Sequence, residues 1–566
     1  MRLSLSRESV KPHYEIAVIG SGYGGGVAAS RLARAGRQVA VFERGKEMAP
    51  GEYPDTVPKM VKEVQADLPE AHIGSPTALF DLRFNNDMNV IVGCGLGGTS
   101  LINANLSIEP DPRIFDDPHW PEALRQECHA GGLAPQFNRA IAMLGAKPYP
   151  ESAPRTEKFA AIERVAQHFG TSLRPMLINV TFEDGPNHAG VAQNACIGCG
   201  DCVSGCNHRA KNTVLMNYLP DAVRHGAEIF TRMRLEFIER DGPAWKLHFR
   251  PVMGLLEAAL PPVEVTAEIV ILAAGTLGST EILLRSRDRG LAVSDTVGSR
   301  FSGNGDMIGF SYNSEQTMNA IGWGNRSGTG RRPVGPCSTG LVDLRDKPNL
   351  EDGQILVEAT LFGALSAALP KAFAAGAKLT GVRTEHGILN FVRSKFREFG
   401  SLLFGSYTGA IHNTVTYLVV AQDDSGGQMY LDQDRVRVAW PGAGGAPALA
   451  AASELIRRAA EAGAGTYIRN PVWNRFNGQQ LFTGHPLGGC IMGDDAGTAV
   501  VSHKGEVFAG RTGGDVHPGL YVMDGAVVPR SLGVNPLLTI TALAERSSER
   551  LALDRAWTIS YDAARP

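Results

Sequence analysis

Glu15-Ile16-Ala17-Val18-Ile19 runs straight into Gly20-Ser21-Gly22-Tyr23-Gly24-Gly25, and the reading of this passage decides the fold. The short apolar run reads as a buried strand and the glycines as a tight turn. Val27 to Ala35 then has the apolar spacing of a helix, which Gly36 ends. A second strand, Gln38 to Phe42, delivers Glu43. In this order the turn lets a pyrophosphate approach the backbone, the helix N-terminus faces the phosphates, and the acid meets ribose hydroxyls. Gly20, Gly22, Gly25 and Glu43 are therefore the first candidate contacts of a dinucleotide. The motif alone does not separate NAD from FAD.

Further along the chain, Val92-Gly93-Cys94-Gly95-Leu96-Gly97-Gly98-Thr99-Ser100-Leu101-Ile102-Asn103 sets a second flexible, donor-rich loop before an apolar segment. Two such loops suit a long, extended cofactor such as FAD, which adds Gly93, Gly97, Gly98, Thr99 and Asn103 to the candidates. Pro50 to Asn86 reads as a cover over it. A strand at Ala227 to Phe230 and another at Ala267 to Leu272 return the chain to the same unit, and the second leads into a turn at Ala274 and Gly275. The expected architecture is α/β, α+β overall. A discontinuous Rossmann-like FAD-binding domain (10–120, 210–310 and 480–566) would carry a substrate-binding domain of mixed sheet and helices (121–209 and 311–479). Gln354 to Thr360 and Thr414 to Ala421 are strand-like. The apolar helical segment 361–404 between them reads either as a core helix pair or as a lid over a lipophilic substrate.

The 566 residues, 43% hydrophobic and 20% charged, are ordinary for globular protein, and a net charge of -3 disfavours nucleic-acid binding. The N-terminus has no apolar signal-like region, and no stretch approaches the ~20 apolar residues of a membrane span. A cytoplasmic location is the expectation.

Two polar residues stand at turns in the last quarter. His485 lies between Gly484 and Pro486, and Asn535 precedes Pro536 and the apolar helical run Leu537 to Leu543. Cys196, Cys199, Cys202 and Cys206 have the spacing C-x2-C-x2-C-x3-C of bacterial iron-sulfur ligation, with Asn207 where proline usually follows. Four thiolates also suit zinc, and a metal-free turn remains a third reading of segment 196–206.

Together these motifs resemble the glucose-methanol-choline (GMC) flavin oxidoreductases, most closely their cholesterol-oxidase-like branch. The carrying residues also include Ala274 to Thr280, Gly303-Asn304-Gly305, His485 to Gly489, Tyr521-Val522-Met523-Asp524-Gly525 and Gly533-Val534-Asn535-Pro536. The resemblance implies FAD contacts at Asp524, Gly525 and Pro536. It also implies hydride transfer from a carbinol carbon to flavin N5, with His485 and Asn535 hydrogen-bonding the substrate oxygen. It further implies a steroid proton-moving role for Glu358.

The implied partners are a hydrophobic alcohol, preferably a 3β-hydroxysteroid, an acceptor that is oxygen or a redox carrier, and peripheral membrane contact. Two other activities stay open. One is a long-chain or bulky alcohol dehydrogenase passing electrons through an iron-sulfur cluster; the other is a flavin-containing lyase.

Overall fold

The apolar run before the first glycine turn becomes the strand His13–Ile19, whose residues from Ile16 to Ile19 are all buried. Such a strand, lacking alternation, belongs in the middle of a parallel sheet covered on both faces. It pairs in parallel with Val39–Phe42 on one side and Val263–Leu272 on the other. Glu228–Phe230 and Val516–Val522 extend the parallel row at its two ends. The computed structural model describes residues 2–254, 260–326, 328, 330–384, 387–474 and 478–562. Within the expected domain segments, 255–259, 327, 329, 385–386, 475–477 and 563–566 lie outside the described residues.

Val263–Leu272 changes neighbours along its length. Val263 to Ala267 pair antiparallel with Ala244–Pro251, which forms a hairpin with Met233–Asp241, whereas Val270 to Leu272 pair in parallel with Val516–Val522. Five parallel strands thus point their C-terminal ends the same way, the side on which α/β folds bind ligands. The helix Tyr23–Arg34 packs against the first of them and against Tyr218–Arg224 and the last helix, Leu537–Asp554.

Residues 50–86, expected as a cover, form the short helix Val57–Lys62 and three strands of a sheet. Val64–Asp67, His72–Ile73, Phe80–Arg83 and Met88–Gly93 join Leu481–Thr483 in a five-stranded sheet with both parallel and antiparallel pairings. The larger sheet of the other half was expected to be mixed, yet all its pairings are antiparallel. Its order is Leu341–Leu344, Gln354–Ala359, Val415–Val420, Met307–Tyr312, Thr466–Arg469, Gly381–Arg383. The apolar helical segment forms two helices, Leu369–Thr380 and Ile388–Phe404, separated by the short edge strand.

Candidate active site

The first glycine turn, Glu43 and the turn bearing Asp524 each follow the C-terminal end of a strand of the parallel row. Gly20 takes a left-handed turn, φ +96°, directly after Ile19. An added Cβ at Gly20, Gly24 or Gly25 would strike the backbone of Ala273, Met523 and Gly20 respectively, so these glycines let strands and helix close together. At Gly22 and Gly275 an added Cβ would meet no atom within 4 Å. These two positions therefore border open space at the helix N-terminus, where an anion is favoured.

Glu43 follows the strand Val39–Phe42 and is buried. Its carboxylate accepts hydrogen bonds from the Ser21 N–H (3.1 Å), the Ser21 hydroxyl (2.6 Å) and the Gly45 N–H (2.7 Å). Burial raises its pKa, and those donors oppose the rise. A carboxylate has about four acceptor directions, so one remains for a hydroxyl. The Ser21 hydroxyl also accepts from the Gly97 N–H (2.9 Å), which fastens the second glycine loop to the first. That loop is closed by the Gly93 N–H donating to the Thr99 hydroxyl at 3.0 Å, with Gly97 and Gly98 in left-handed conformations.

Asn103, at the end of the loop, donates to the Tyr23 hydroxyl at 2.6 Å. Beneath it the Lys211 ammonium donates to the carbonyls of Leu101 (3.0 Å), Asn103 (2.8 Å) and Cys202 (3.0 Å). Burial brings the Lys211 pKa down to about 8. On the third loop, Asp524 accepts from the Gly275 N–H (2.8 Å), the Ser279 hydroxyl (2.5 Å) and the Ala526 N–H (2.8 Å), and burial pushes it up to about 6. Asp524 therefore shapes the turns at Ala274, Gly275 and Gly525.

Leu481–Thr483 runs parallel to Met88–Gly93, so the turn bearing His485 and the second glycine loop emerge side by side. The His485 turn is pinned by the Thr276 hydroxyl donating to the Pro486 carbonyl (2.7 Å) and the Gly488 N–H donating to the Gly525 carbonyl (3.0 Å). His485 Nδ1 lies 2.7 Å from Asp306 Oδ1, and its Nε2 lies 2.9 Å from Asn535 Nδ2. The Asn535 amide is a donor, so Nε2 accepts and Nδ1 carries the proton given to Asp306. The structure thus brings His485 and Asn535 together, 50 residues apart in sequence, with the imidazole in one tautomer. Asn535 is 4% exposed, and its Oδ1 is buried without a hydrogen-bond partner. An orphaned buried acceptor calls for a ligand donor.

Asp306 and Asn304, which hold His485 and the segment before Asn535 in place, were not among the candidates read from the sequence. The Asp306 carboxylate also accepts from the Thr483 hydroxyl (2.8 Å) and the Gly484 N–H (3.1 Å). Asn304 donates to the Val534 carbonyl (2.7 Å) and accepts from the Leu532 N–H (2.8 Å), which holds the segment leading to Asn535. Their only signal was the Gly303-Asn304-Gly305 motif that precedes Asp306.

Glu358 is fully buried on the strand Gln354–Ala359, opposite Tyr417. Its carboxylate is held by the Lys158 ammonium (3.2 Å), the Thr339 N–H (2.6 Å) and the Thr339 hydroxyl (2.5 Å), and by none of the His485 cluster. Cys196, Cys199, Cys202 and Cys206 line one small cavity with His208 and Lys211. Burial raises the thiols of Cys196, to about 11, and of Cys199 and Cys202. Among the described residues no group of three His, Cys, Asp or Glu side chains is placed to hold a metal ion, so the geometry lends the iron-sulfur and zinc readings no support.

The open space at Gly22 and Gly275, the free acceptor direction on Glu43 and the unpartnered Asn535 carbonyl fit a dinucleotide reaching from the first glycine turn towards His485. Comparison with known proteins agrees. A family model described as GMC oxidoreductase matches residues 22–302, and a second of that description matches 425–544. A cholesterol oxidase of Mycobacterium tuberculosis is 27% identical over 572 residues, covering 95% of this chain and 91% of that protein. A long-chain-alcohol oxidase of Arabidopsis thaliana is 24% identical, over 94% of this chain and 66% of that one. The solved formate oxidase of Aspergillus oryzae shares the fold, with a TM-score of 0.61 at 11% identity over 96% of this chain and 99% of that chain. Matched in both its N-terminal and C-terminal parts, the chain belongs to the GMC oxidoreductases, a family of FAD-binding enzymes.

Proposed function

We propose that the protein oxidises a hydrophobic alcohol, a 3β-hydroxysteroid being the first choice, at the point where His485 and Asn535 meet. The observation that carries this reading is the unprotonated Nε2 of His485 facing the Asn535 amide, with Asp306 behind the ring. FAD, bound along the two glycine loops, supplies the hydride acceptor. His485 Nε2 takes the hydroxyl proton once the substrate oxygen has replaced the Asn535 N–H as its partner, and the ring is aimed by the Nδ1–H bond to Asp306. Asn535 fixes the substrate oxygen, so the carbinol C–H keeps one orientation. Segments 10–120, 210–310 and 480–566 make up the cofactor-binding part on this reading, and 121–209 and 311–479 the part that selects the alcohol. The steroid preference rests on the cholesterol oxidase relative, and long-chain alcohols follow from the plant one.

The test is anaerobic mixing of the flavin-loaded protein with a panel of alcohols that includes cholesterol and long-chain primary alcohols. Bleaching of the flavin absorbance by a hydrophobic alcohol supports the reading, whereas product without flavin reduction would favour a lyase. Oxygen uptake then identifies the acceptor. Glu358→Gln tests the steroid proton shift, a role that requires this carboxylate to leave Lys158. Full oxidation and isomerisation by that variant would assign Glu358 to structure alone.

A second reading is a dehydrogenase that hands electrons to a carrier through an iron-sulfur cluster. Its ground is proximity and not ligand geometry: Lys211 joins the Cys202 carbonyl to those of Leu101 and Asn103, so the four-cysteine cavity adjoins a cofactor loop. Iron and sulfide assays on the anaerobically purified protein and on Cys199→Ser decide it. Equal, negligible iron in both removes the cluster.

A further inference from the structure

The helix Ile388–Phe404 is built inside out. Its buried side chains are only Ser394 and Ser401, seven residues apart on one stripe. That stripe is fixed by polar bonds: the Asn313 amide donates to the Ser394 carbonyl (2.9 Å), and the Ser401 hydroxyl both donates to the Thr408 carbonyl (2.5 Å) and accepts from the Ile411 N–H (2.9 Å). The opposite face carries the apolar residues. Ile388 is 80% exposed, Phe396 72% and Phe404 73%. Residues 379–404 hold eleven of the nineteen exposed large apolar side chains found among the described residues. A surface helix ordinarily buries its apolar stripe, and a contiguous patch of this kind marks a contact surface.

Charge identifies the occupant. The chain as a whole carries -3, yet the exposed ionisable groups of this helix, of its neighbour Leu369–Thr380 and of the strand Gly381–Arg383 between them are chiefly cationic: Lys371, Lys378, Arg383, Arg393 and Lys395. Glu398 is the one acid of Ile388–Phe404, and it pairs with Lys395. A second copy of the chain would set this basic face against itself, and like charges opposed across a two-fold contact are unfavourable. Aromatic and aliphatic side chains flanked by lysine and arginine suit the boundary between headgroups and acyl chains of an anionic bilayer. No helix among the described residues is long and apolar enough to cross a membrane, and 17 residues span only about 25 Å, so this helix would lie in the plane of the surface.

We propose that Ile388–Phe404, with the adjoining Leu369–Thr380, docks the protein on an anionic lipid surface. The strand Met307–Tyr312 links this face to the active site. It starts directly after Asp306, which orients His485, and is followed by Asn313, which receives a hydrogen bond from Arg397 (2.7 Å) and clamps the Ser394 carbonyl. About 20 Å of strand therefore separates the lipid face from the catalytic turn.

The docking itself stands apart from the substrate assignment, because its test needs no turnover. The flavin-loaded protein is sedimented with vesicles of phosphatidylcholine alone and of phosphatidylcholine mixed with phosphatidylglycerol. It should bind the mixed vesicles, release as salt is raised, and bind the neutral ones less. Phe396→Ser combined with Phe404→Ser should weaken binding by about tenfold or more at an unchanged unfolding temperature, since both side chains lie in water in the free protein. No binding by the parent, equal binding by the double variant, or a salt-stable dimer that depends on the two phenylalanines would overturn the proposal.

Discussion

His485 is held from both sides, and the two contacts do different work. Asp306 fixes the tautomer, and the Asn535 amide donates to Nε2, the atom to which the proposed function brings the substrate oxygen. Replacing His485 by alanine removes the proton acceptor and should lower turnover by about 10²–10⁴ while leaving bound flavin in place; stopped-flow flavin reduction and absorbance measure both. Asp306→Asn is the finer probe. An amide at position 306 can either donate or accept, so the proton on Nδ1 is no longer dictated. Turnover should fall by about a hundredfold with little change in KM, and the ¹⁵N signature of the Nδ1–H tautomer should be lost. A preserved tautomer with full turnover would show that Asp306 only packs. His485 and Asn535 were readable in the sequence because glycine and proline confine them to turns. Asp306 was not, because it meets His485 across 179 residues and only the folded sheet sets the two together.

At the level of elements, the strand Gln354–Ala359 shows what burial does to a charge. Glu358 and Lys158 are both fully buried and pair at 3.2 Å, so each makes the other tolerable. Lys158→Met strands the carboxylate and should cost about 3–5 kcal/mol, read by denaturant unfolding. Adding Glu358→Leu should restore most of that loss, because the pair is then replaced by apolar volume. If the double variant stays as unstable as the single one, the pair is not the source of the effect. The strands around it were legible as apolar runs, and so was the βαβ unit, whose glycines punctuate it clearly. The all-antiparallel pairing was not legible, since periodicity identifies strands but not their partners. The helices within 361–404 were expected to be core or lid. Composition could not reveal that in Ile388–Phe404 the serines, rather than the phenylalanines, face inward, whereas Leu369–Thr380 buries Phe373.

Across the whole molecule, the two halves of the active site hang from helices that are bolted together. Tyr23–Arg34 begins at the first glycine turn, and Leu537–Asp554 begins just after Asn535 and Pro536. Arg31 makes a two-pronged bond to Glu545 (2.7 and 2.8 Å), which also accepts from the Tyr218 hydroxyl (2.8 Å). Three residues further along the same helix, Arg34 grips Asp221 through Nε (2.8 Å) and Nη2 (2.7 Å) and reaches the carbonyls of Ser560 (3.1 Å) and Asp562 (2.7 Å) near the other end of the chain. Segments more than 500 residues apart in sequence are thereby fixed to one helix. Burial alone would raise the Asp221 pKa, but hydrogen bonds from Arg34 and Ser30 and the Arg34 charge carry it below the ordinary 3.8. A carboxylate with a depressed native pKa contributes stability that is complete above its unfolded value and is lost as pH falls through the native one. Asp221→Asn should therefore be less stable than the parent by about 3 kcal/mol at pH 7. The part of that gap that depends on the charge should begin to shrink as the pH drops below about 4 and be gone only once the pH has passed the lower native pKa, where the folded parent is itself neutral at this position. Unfolding curves of both proteins across that range supply the measurement, and a gap that stays constant with pH would mean that shape at position 221, rather than charge, holds the helices together.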